Sequence, residues 1–342
     1  MLALTVTAQT KDCITRKSFA FKSGDWLSVT GKYGEIKISS TGEDSIIICS
    51  TVTIKQNNPE LQKKSLSLIM TGIDKIADTV YVSTSFDEKF FSAPYNASRT
   101  GFTVNYSIIV PQGINLRIDN SFGDVSLDNC EGYTGIKVSH GNLNTGKLGR
   151  GNIKPVNSVY ADYGTVNIEE ANWITVNTIH CPSVSMGIVK AAVIASRFSR
   201  ISSGIANSLV CDSRSDIIEI QSVNNLAIQS SYSAINISRL NGQLAAESNF
   251  GSINISKLSK DFSLIDLISS RTPVSIKTEP GTSFSADIRV SAAIADIPFE
   301  YHPSLINQPD NGTTKISGTW GTGKSGRSVV RINSHGGNLE IK

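Results

Sequence analysis

The residues that could do chemistry in this sequence are scattered, and the most suggestive group sits near its end. In GTWGTGKSGRS, Gly318, Gly323, Lys324 and Ser325 fall on G-x-x-x-x-G-K-S, the spacing of a loop whose backbone N–H groups cradle phosphates. That chemistry needs a buried strand before the glycines and a helix after the lysine. Beyond Ser325 the chain reads GRSVVRINSHGGNLEIK, where Val329, Val330 and Ile332 suggest a strand and the glycines turns. With no helix to receive phosphates, we expect a Gly-rich hairpin or turn with an exposed Lys324, no bound nucleotide, and no shift in melting temperature with ATP.

Other residues invite chemistry too. His140 in SHGN and His335 in SHGG are the residue type that polysaccharide-cleaving enzymes use as acid or base. Asp119, Asp124 and Asp128 could hold Ca²⁺ or form an acid/base pair. Arg197, Arg200 and Arg214 could form a basic patch for an acidic glycan. Trp173, Trp320, Tyr133 and Tyr160 could stack on sugar rings where exposed. Both histidines occupy a repeated slot that elsewhere holds Phe, Tyr or Ser, so they read as stacking residues. The aspartates have no matching second cluster and read as solvated turn acids. The arginines read as solvated surface. No residue is therefore assigned a catalytic, cofactor-binding or metal-ligating role, and no cofactor is expected.

The elements that position these residues emerge from composition and repetition. The chain has 342 residues, 39% hydrophobic and only 18% charged, with a formal charge of +3. That is enough apolar material for a core and too little clustered Lys or Arg to track nucleic acid. Ser, Asn, Ile, Val, Thr and Gly dominate, which favours strands and turns over helices. Five cysteines, Cys13, Cys49, Cys130, Cys181 and Cys211, show no C-x-x-C spacing. Cys49 and Cys211 sit inside apolar strand patterns and read as buried thiols. The opening MLALTVTAQT resembles the end of an export segment, with Val6 and Ala8 before a cut ahead of Gln9. No apolar run approaches the ~20 residues needed to span a bilayer.

Between residues 114 and 276 a short phrase recurs: SFGDVSL, SHGNLNT, DYGTVNI, HCPSVSM, RFSRISS, RSDIIEI, SYSAINI, NFGSINI, SRTPVSI. Each carries an apolar anchor, at Val125, Leu143, Val166, Val184, Ile201, Ile218, Ile235, Ile253 and Val274. Successive anchors lie 17 to 23 residues apart. Apolar and polar letters alternate, as in Ile235-Asn236-Ile237, which sends the apolar pair to one face of a strand. Three residues before the anchor is the slot, holding Phe122, His140, Tyr163, Cys181, Phe198, Ser215, Tyr232, Phe250 and Arg271. Four residues earlier still, Ile118, Ile136, Val159, Ile194, Cys211, Ile228 and Ala246 form a second ladder. A unit of this length cannot enclose a core alone, but stacked copies can. Outward Asn167, Asn236 and Asn254 recur at repeat offsets and predict a polar stripe. GKYGEIKIS repeats the phrase with Tyr33 in the slot and Ile36 as anchor, and NSHGGNLEIK echoes it with His335 in the slot and Leu339 near the anchor.

With its YGEIKI strand (Tyr33 to Ile38), its YSIIVPQG segment (Tyr106 to Gly113), serial SFGDVSL phrases and final GKSGRSVVRINSHGGNLEIK, the chain resembles the bacterial putative-adhesin families of unknown function. These are related to autotransporter-adhesin head domains and common in Bacteroidetes. The resemblance covers nearly the whole chain and implies a secreted or surface-located, single-stranded right-handed β-helix without catalytic residues. The expected fold is all-β, a right-handed parallel β-helix or β-solenoid with repeats of about 17–23 residues. Residues 1–8 are read as a signal-peptide remnant and 9–112 as a β-rich region with an irregular insertion at 57–102. Residues 113–283 are read as regular repeats and 284–342 as strands closing the solenoid. The expected function is a non-enzymatic, exported surface interaction or structural module (periplasmic, outer-membrane or extracellular). Its partner would be a surface glycan or an envelope protein. The alternatives are a β-helix polysaccharide lyase or hydrolase, and an envelope stress or signalling component that binds a partner protein by pairing at an open solenoid end.

Overall fold

A computed structural model describes residues 11–95, 101–298, 302, 304–321 and 328–342. The leader-like residues 1–8, with the cut ahead of Gln9, and the Gly323-Lys324-Ser325 centre of the phosphate-loop match lie outside the described residues. The protein is all-β: among the described residues one α-helix, Pro59–Leu66, and one 3-10 turn, Glu88–Phe91, accompany a mixed sheet of parallel and antiparallel strands. No described helix is long and apolar enough to cross a membrane. The chain forms two compact units, Met1–Val166 and Asn167–Lys342.

In the second unit the repeat becomes register. Ser183–Arg197, Arg200–Arg214, Ile217–Ser231 and Ala234–Asn249 are long strands, each parallel to the next. Val184, Ile201, Ile218, Ile235, Ile253, Val274 and Leu339 face one another in that order, all buried. The second ladder aligns too, as Ile194, Cys211, Ile228, Ala246 and Leu267. A third inward column, Val189, Ala206, Val223, Leu240 and Leu258, lies between them. Ala206, Val223, Leu240 and Leu258 belong to no apolar-polar-apolar triplet like Ile235-Asn236-Ile237, which left the column without a signature in the sequence. Each Val, Leu or Ile in these columns contributes about 1.5–3 kcal/mol of burial, so three columns in register oppose any slip of the strands.

The order of strands departs from the order of sequence at the far end of this unit. Val329–His335 lies between Leu264–Ser270 and Phe284–Ser291, parallel to both. Phe284–Ser291 in turn pairs antiparallel with Thr313–Trp320, which pairs with Leu305–Asp310.

The first unit has the same parallel plan with a large detour. Trp26–Lys32 pairs with Asn115–Ser121, then Thr134–Ser139, then Asn157–Asp162. Ile36–Thr41 pairs with Val125–Leu127, which pairs with Leu143–Leu148. Ile36 faces Val125, so phrases far apart in sequence are neighbours in space. The chain between them makes antiparallel pairs, Ser45–Ile54 with Lys11–Ala20 and with Phe102–Pro111, and Ile69–Ile76 with Thr79–Phe86. Thr79–Phe86 and Phe102–Pro111 then return parallel to the outer edges of Trp26–Lys32 and Ile36–Thr41. Those edges are thereby paired.

Two slot assignments need correction. His180, not Cys181, occupies the slot of its repeat, because one extra residue separates slot and anchor there; Cys181 is fully buried. Near the end Gly336, not His335, holds that position, with φ +69°, and His335 faces Ser270 one place earlier.

Candidate functional site

Every slot residue adopts the left-handed backbone region. In the first unit φ is 62° at Tyr33, 59° at Phe122, 56° at His140 and 52° at Tyr163. In the second it is 53° at His180, 54° at Phe198, 58° at Ser215, 55° at Tyr232, 54° at Phe250 and 49° at Arg271. This region costs an L-residue about 1 kcal/mol, so its repetition needs compensation. Part comes from inter-strand hydrogen bonds donated by the slot N–H groups, as from Phe122 to the Ser139 carbonyl at 2.9 Å and from Tyr232 to the Asn249 carbonyl at 2.8 Å. The turn also aims the side chain away from the core, where like rings meet.

The rings form a ridge. Tyr33, Phe122, His140 and Tyr163 stack in sequence with centroids 5.2, 5.0 and 4.9 Å apart. In the second unit His180 stacks on Phe198 at 4.9 Å and Tyr232 on Phe250 at 5.0 Å, with ring planes nearly parallel at 7° and 6°. The Arg271 guanidinium lies 4.9 Å over Phe250, continuing the stack as a cation on a ring face. Each offset stack is worth about 0.5–1.5 kcal/mol, which offsets the backbone strain. The rings cover one another's faces and stay exposed at their edges, except for Tyr33, which is half-buried against Phe86, Phe91 and Phe102.

A glycine comes after the slot in the first unit for a steric reason. A Cβ at Gly141 would lie 2.1 Å from the Gly123 carbonyl oxygen, and one at Gly123 would lie 2.0 Å from that of Gly34. The aromatic-Gly dipeptide thus combines a ring that stacks with a backbone that lets the neighbouring strand approach.

Beside the ridge, Arg197 and Arg214 face each other across Ser183–Arg197 and Arg200–Arg214. Arg197 reaches Asp212 at 3.5 Å and Arg200 reaches Glu219 at 3.4 Å, so two of the three arginines already have carboxylate neighbours. The other candidates are dispersed. His140 is one of the stacked rings, and His335 Nδ1 lies 2.9 Å from the Ser291 hydroxyl. Asp119 pairs with Lys137 at 3.6 Å, and Asp124 accepts the Asn142 N–H at 2.8 Å, a turn contact. Asp128 is exposed. Among the described residues no group of three or more His, Cys, Asp or Glu could hold a metal ion. Trp320 is buried against Phe284 and His302 and presents no face to a ligand. Tyr133 packs on Trp26 at 5.6 Å, with Arg117 over the Trp26 ring and Arg150 over Tyr133. Trp173 and Tyr160 are half-buried. Asn236 and Asn254 stand opposite each other, with Glu219 and Ser275 as their outer neighbours, so that polar row is mixed.

Electrostatics mark structural contacts. Glu279 is held down at about 2 by the Lys257 ammonium, then by the Lys260 N–H, with Arg239 also 3.0 Å away. Burial, aided by Asp216, pushes the Cys211 thiol up to about 12, leaving it an inert core residue. Asp25 is lowered by its 2.8 Å contact with Lys75.

Sequence reasoning found the slot but not its backbone conformation or exposure. The only written signal was the recurrence of Gly immediately after an aromatic residue.

No family model matches the chain, and no curated protein matches it. Among solved structures, a putative cell adhesion protein from Clostridium sporogenes aligns over 97% of this chain and 99% of its own, at 13% identity and TM-score 0.20. A putative adhesin from Parabacteroides distasonis aligns over 78% and 93%, at 12% identity and TM-score 0.30. One from Parabacteroides merdae aligns over 96% of each chain, at 8% identity and TM-score 0.27. At these scores the likeness carries no argument about this chain.

Proposed function

We propose that the protein is a non-enzymatic, exported or cell-surface interaction module of the adhesin type, each unit built as a β-solenoid whose walls serve as contact area. The observation that carries this reading is the exposed aromatic ridge. Rings are kept on the surface at strained turn positions, although the core is already filled by three aliphatic columns. A row of rings left on the surface outside a filled core fits a role in contact better than a role in packing. Parallel pairing at the repeat interval supports the solenoid, and the leader-like opening supports export.

The test is retention against turnover. The full chain, displayed on beads, should be held on glycan-bearing surfaces such as mucin-coated glass under flow, and should release neither reducing nor unsaturated sugar ends from them. Sugar release that disappears in His140→Ala or Asp124→Ala would replace this reading with the lyase or hydrolase. Absence of retention on glycan and protein surfaces alike would end the adhesin reading.

A further inference from the structure

The ridge of the second unit has a gap. Ser215 holds a slot between Phe198 and Tyr232 with the same left-handed backbone and the same hydrogen bonding: Phe198 donates to the Arg214 carbonyl at 3.1 Å, and Ser215 to the Ser231 carbonyl at 2.9 Å. Phe198 is stacked on its other side by His180 and Tyr232 by Phe250. Among the described residues no ring or cation covers the sides that face Ser215. The two rings are 53% and 57% exposed, against 41% for Phe250, which is covered on both sides. With parallel strands ~4.8 Å apart, two spacings separate the facing rings by ~9.6 Å. That is room for one six-membered ring at the separation the ladder uses elsewhere.

The chemistry around the gap says what kind of ring. Arg214 precedes Ser215 on the outward face, is exposed, and among the described residues has no carboxylate in contact, since the nearby Asp212 is met by Arg197. The uncommitted group at the rim is therefore a cation. An aromatic side chain from a partner would fill the space but leave the guanidinium unused. A pyranose chair bearing a carboxylate turns the C–H groups of its two faces to the two rings and its carboxylate to the cation.

We propose that the gap at Ser215, between Phe198 and Tyr232, binds an acidic pyranose residue of a glycan, with Arg214 receiving its carboxylate. This rests on the interaction-module reading and names the ligand class and place of contact.

The test uses the full chain and a panel of tri- and tetrasaccharides: galacturonate, mannuronate and glucuronate-containing oligomers beside uncharged counterparts. Binding is read by calorimetry and by tyrosine fluorescence. At least one acidic oligomer should bind, at least about tenfold tighter than its neutral counterpart, because a charge-assisted contact is lost without the carboxylate. Ser215→Phe places in the gap a side chain that neighbouring slots already accept. It should keep or raise the melting temperature and abolish binding, and Arg214→Gln should remove the preference for acid. The proposal fails if no acidic oligomer binds, if neutral and acidic oligomers bind equally, if an aromatic peptide competes better than any sugar, or if folded Ser215→Phe binds as before. Bead retention measured on Ser215→Phe separates the two readings. Retention without oligosaccharide binding by the parent protein sinks this site and leaves the module standing.

Discussion

Placing the same carboxylate at two adjacent positions tests the register directly. Ile235 is fully buried between Ile218 and Ile253, while Asn236 points outward between Glu219 and Asn254. Ile235→Asp loses an aliphatic side chain worth about 3 kcal/mol. It adds either an unpaired charge costing several kcal/mol or, if protonated, an unsatisfied polar group costing about 1–3 kcal/mol. The sum, at least about 4 kcal/mol, approaches the whole stability of an ordinary domain, about 5–15 kcal/mol. Asn236→Asp is nearly isosteric and brings only a like charge opposite Glu219, a cost below about 1 kcal/mol. Urea unfolding monitored by far-ultraviolet circular dichroism should show Ile235→Asp unfolded or with its midpoint far lower, and Asn236→Asp close to the parent. Because a fallen pH neutralises the buried acid, part of the first loss should return on acidification. If the two variants unfold within about 1 kcal/mol of each other, position 235 does not face the core and the ladder is wrong.

Local geometry sets two further outcomes. Gly141→Ala should lower stability by about 3 kcal/mol, combining overpacking with weakened inter-strand hydrogen bonds. Gly149→Ala, whose Cβ would sit 3.5 Å from the Glu131 side chain, should be neutral or slightly stabilising; equal effects in denaturation would refute the close-approach argument. The Glu279 carboxyl, observed by NMR, should titrate near 2, below its ordinary 4.5, and move upward in Lys257→Met. Since the folded value is the lower one, its contribution to stability is complete above about 4.5 and lost as pH falls through about 2. An unshifted titration would discard the Lys257 contact.

The inward positions were legible because burial writes a two-residue alternation, and Ile235-Asn236-Ile237 states its own facing. The slot was half legible. Its residues are chosen by a backbone dihedral that Phe, His, Ser, Arg and Gly can all satisfy at some cost, so letter type alone misplaced it by one residue at Cys181 and at His335. Trp320 looked like a sugar platform because the antiparallel strands that bury it, Thr313–Trp320 against Phe284–Ser291, carry no repeat to betray their pairing. The neighbours of Tyr33 were hidden for another reason. Its partner Phe122 is distant in sequence, and proximity across so long a detour is set by strand pairing, which the sequence records only as two similar phrases.

The strand Val329–His335, lodged between Leu264–Ser270 and Phe284–Ser291, imposes an order of assembly. Synthesis releases the chain from its N-terminus, and most strands of the second unit can join a neighbour already made. Leu264–Ser270 cannot acquire its outer partner, nor Phe284–Ser291 its parallel one, until a segment far beyond the latter has emerged. That segment works as a clasp: before it closes, two strands offer open edges that other chains could join, and afterwards both are paired. A chain that stops short of this segment remains open at the place the segment seals.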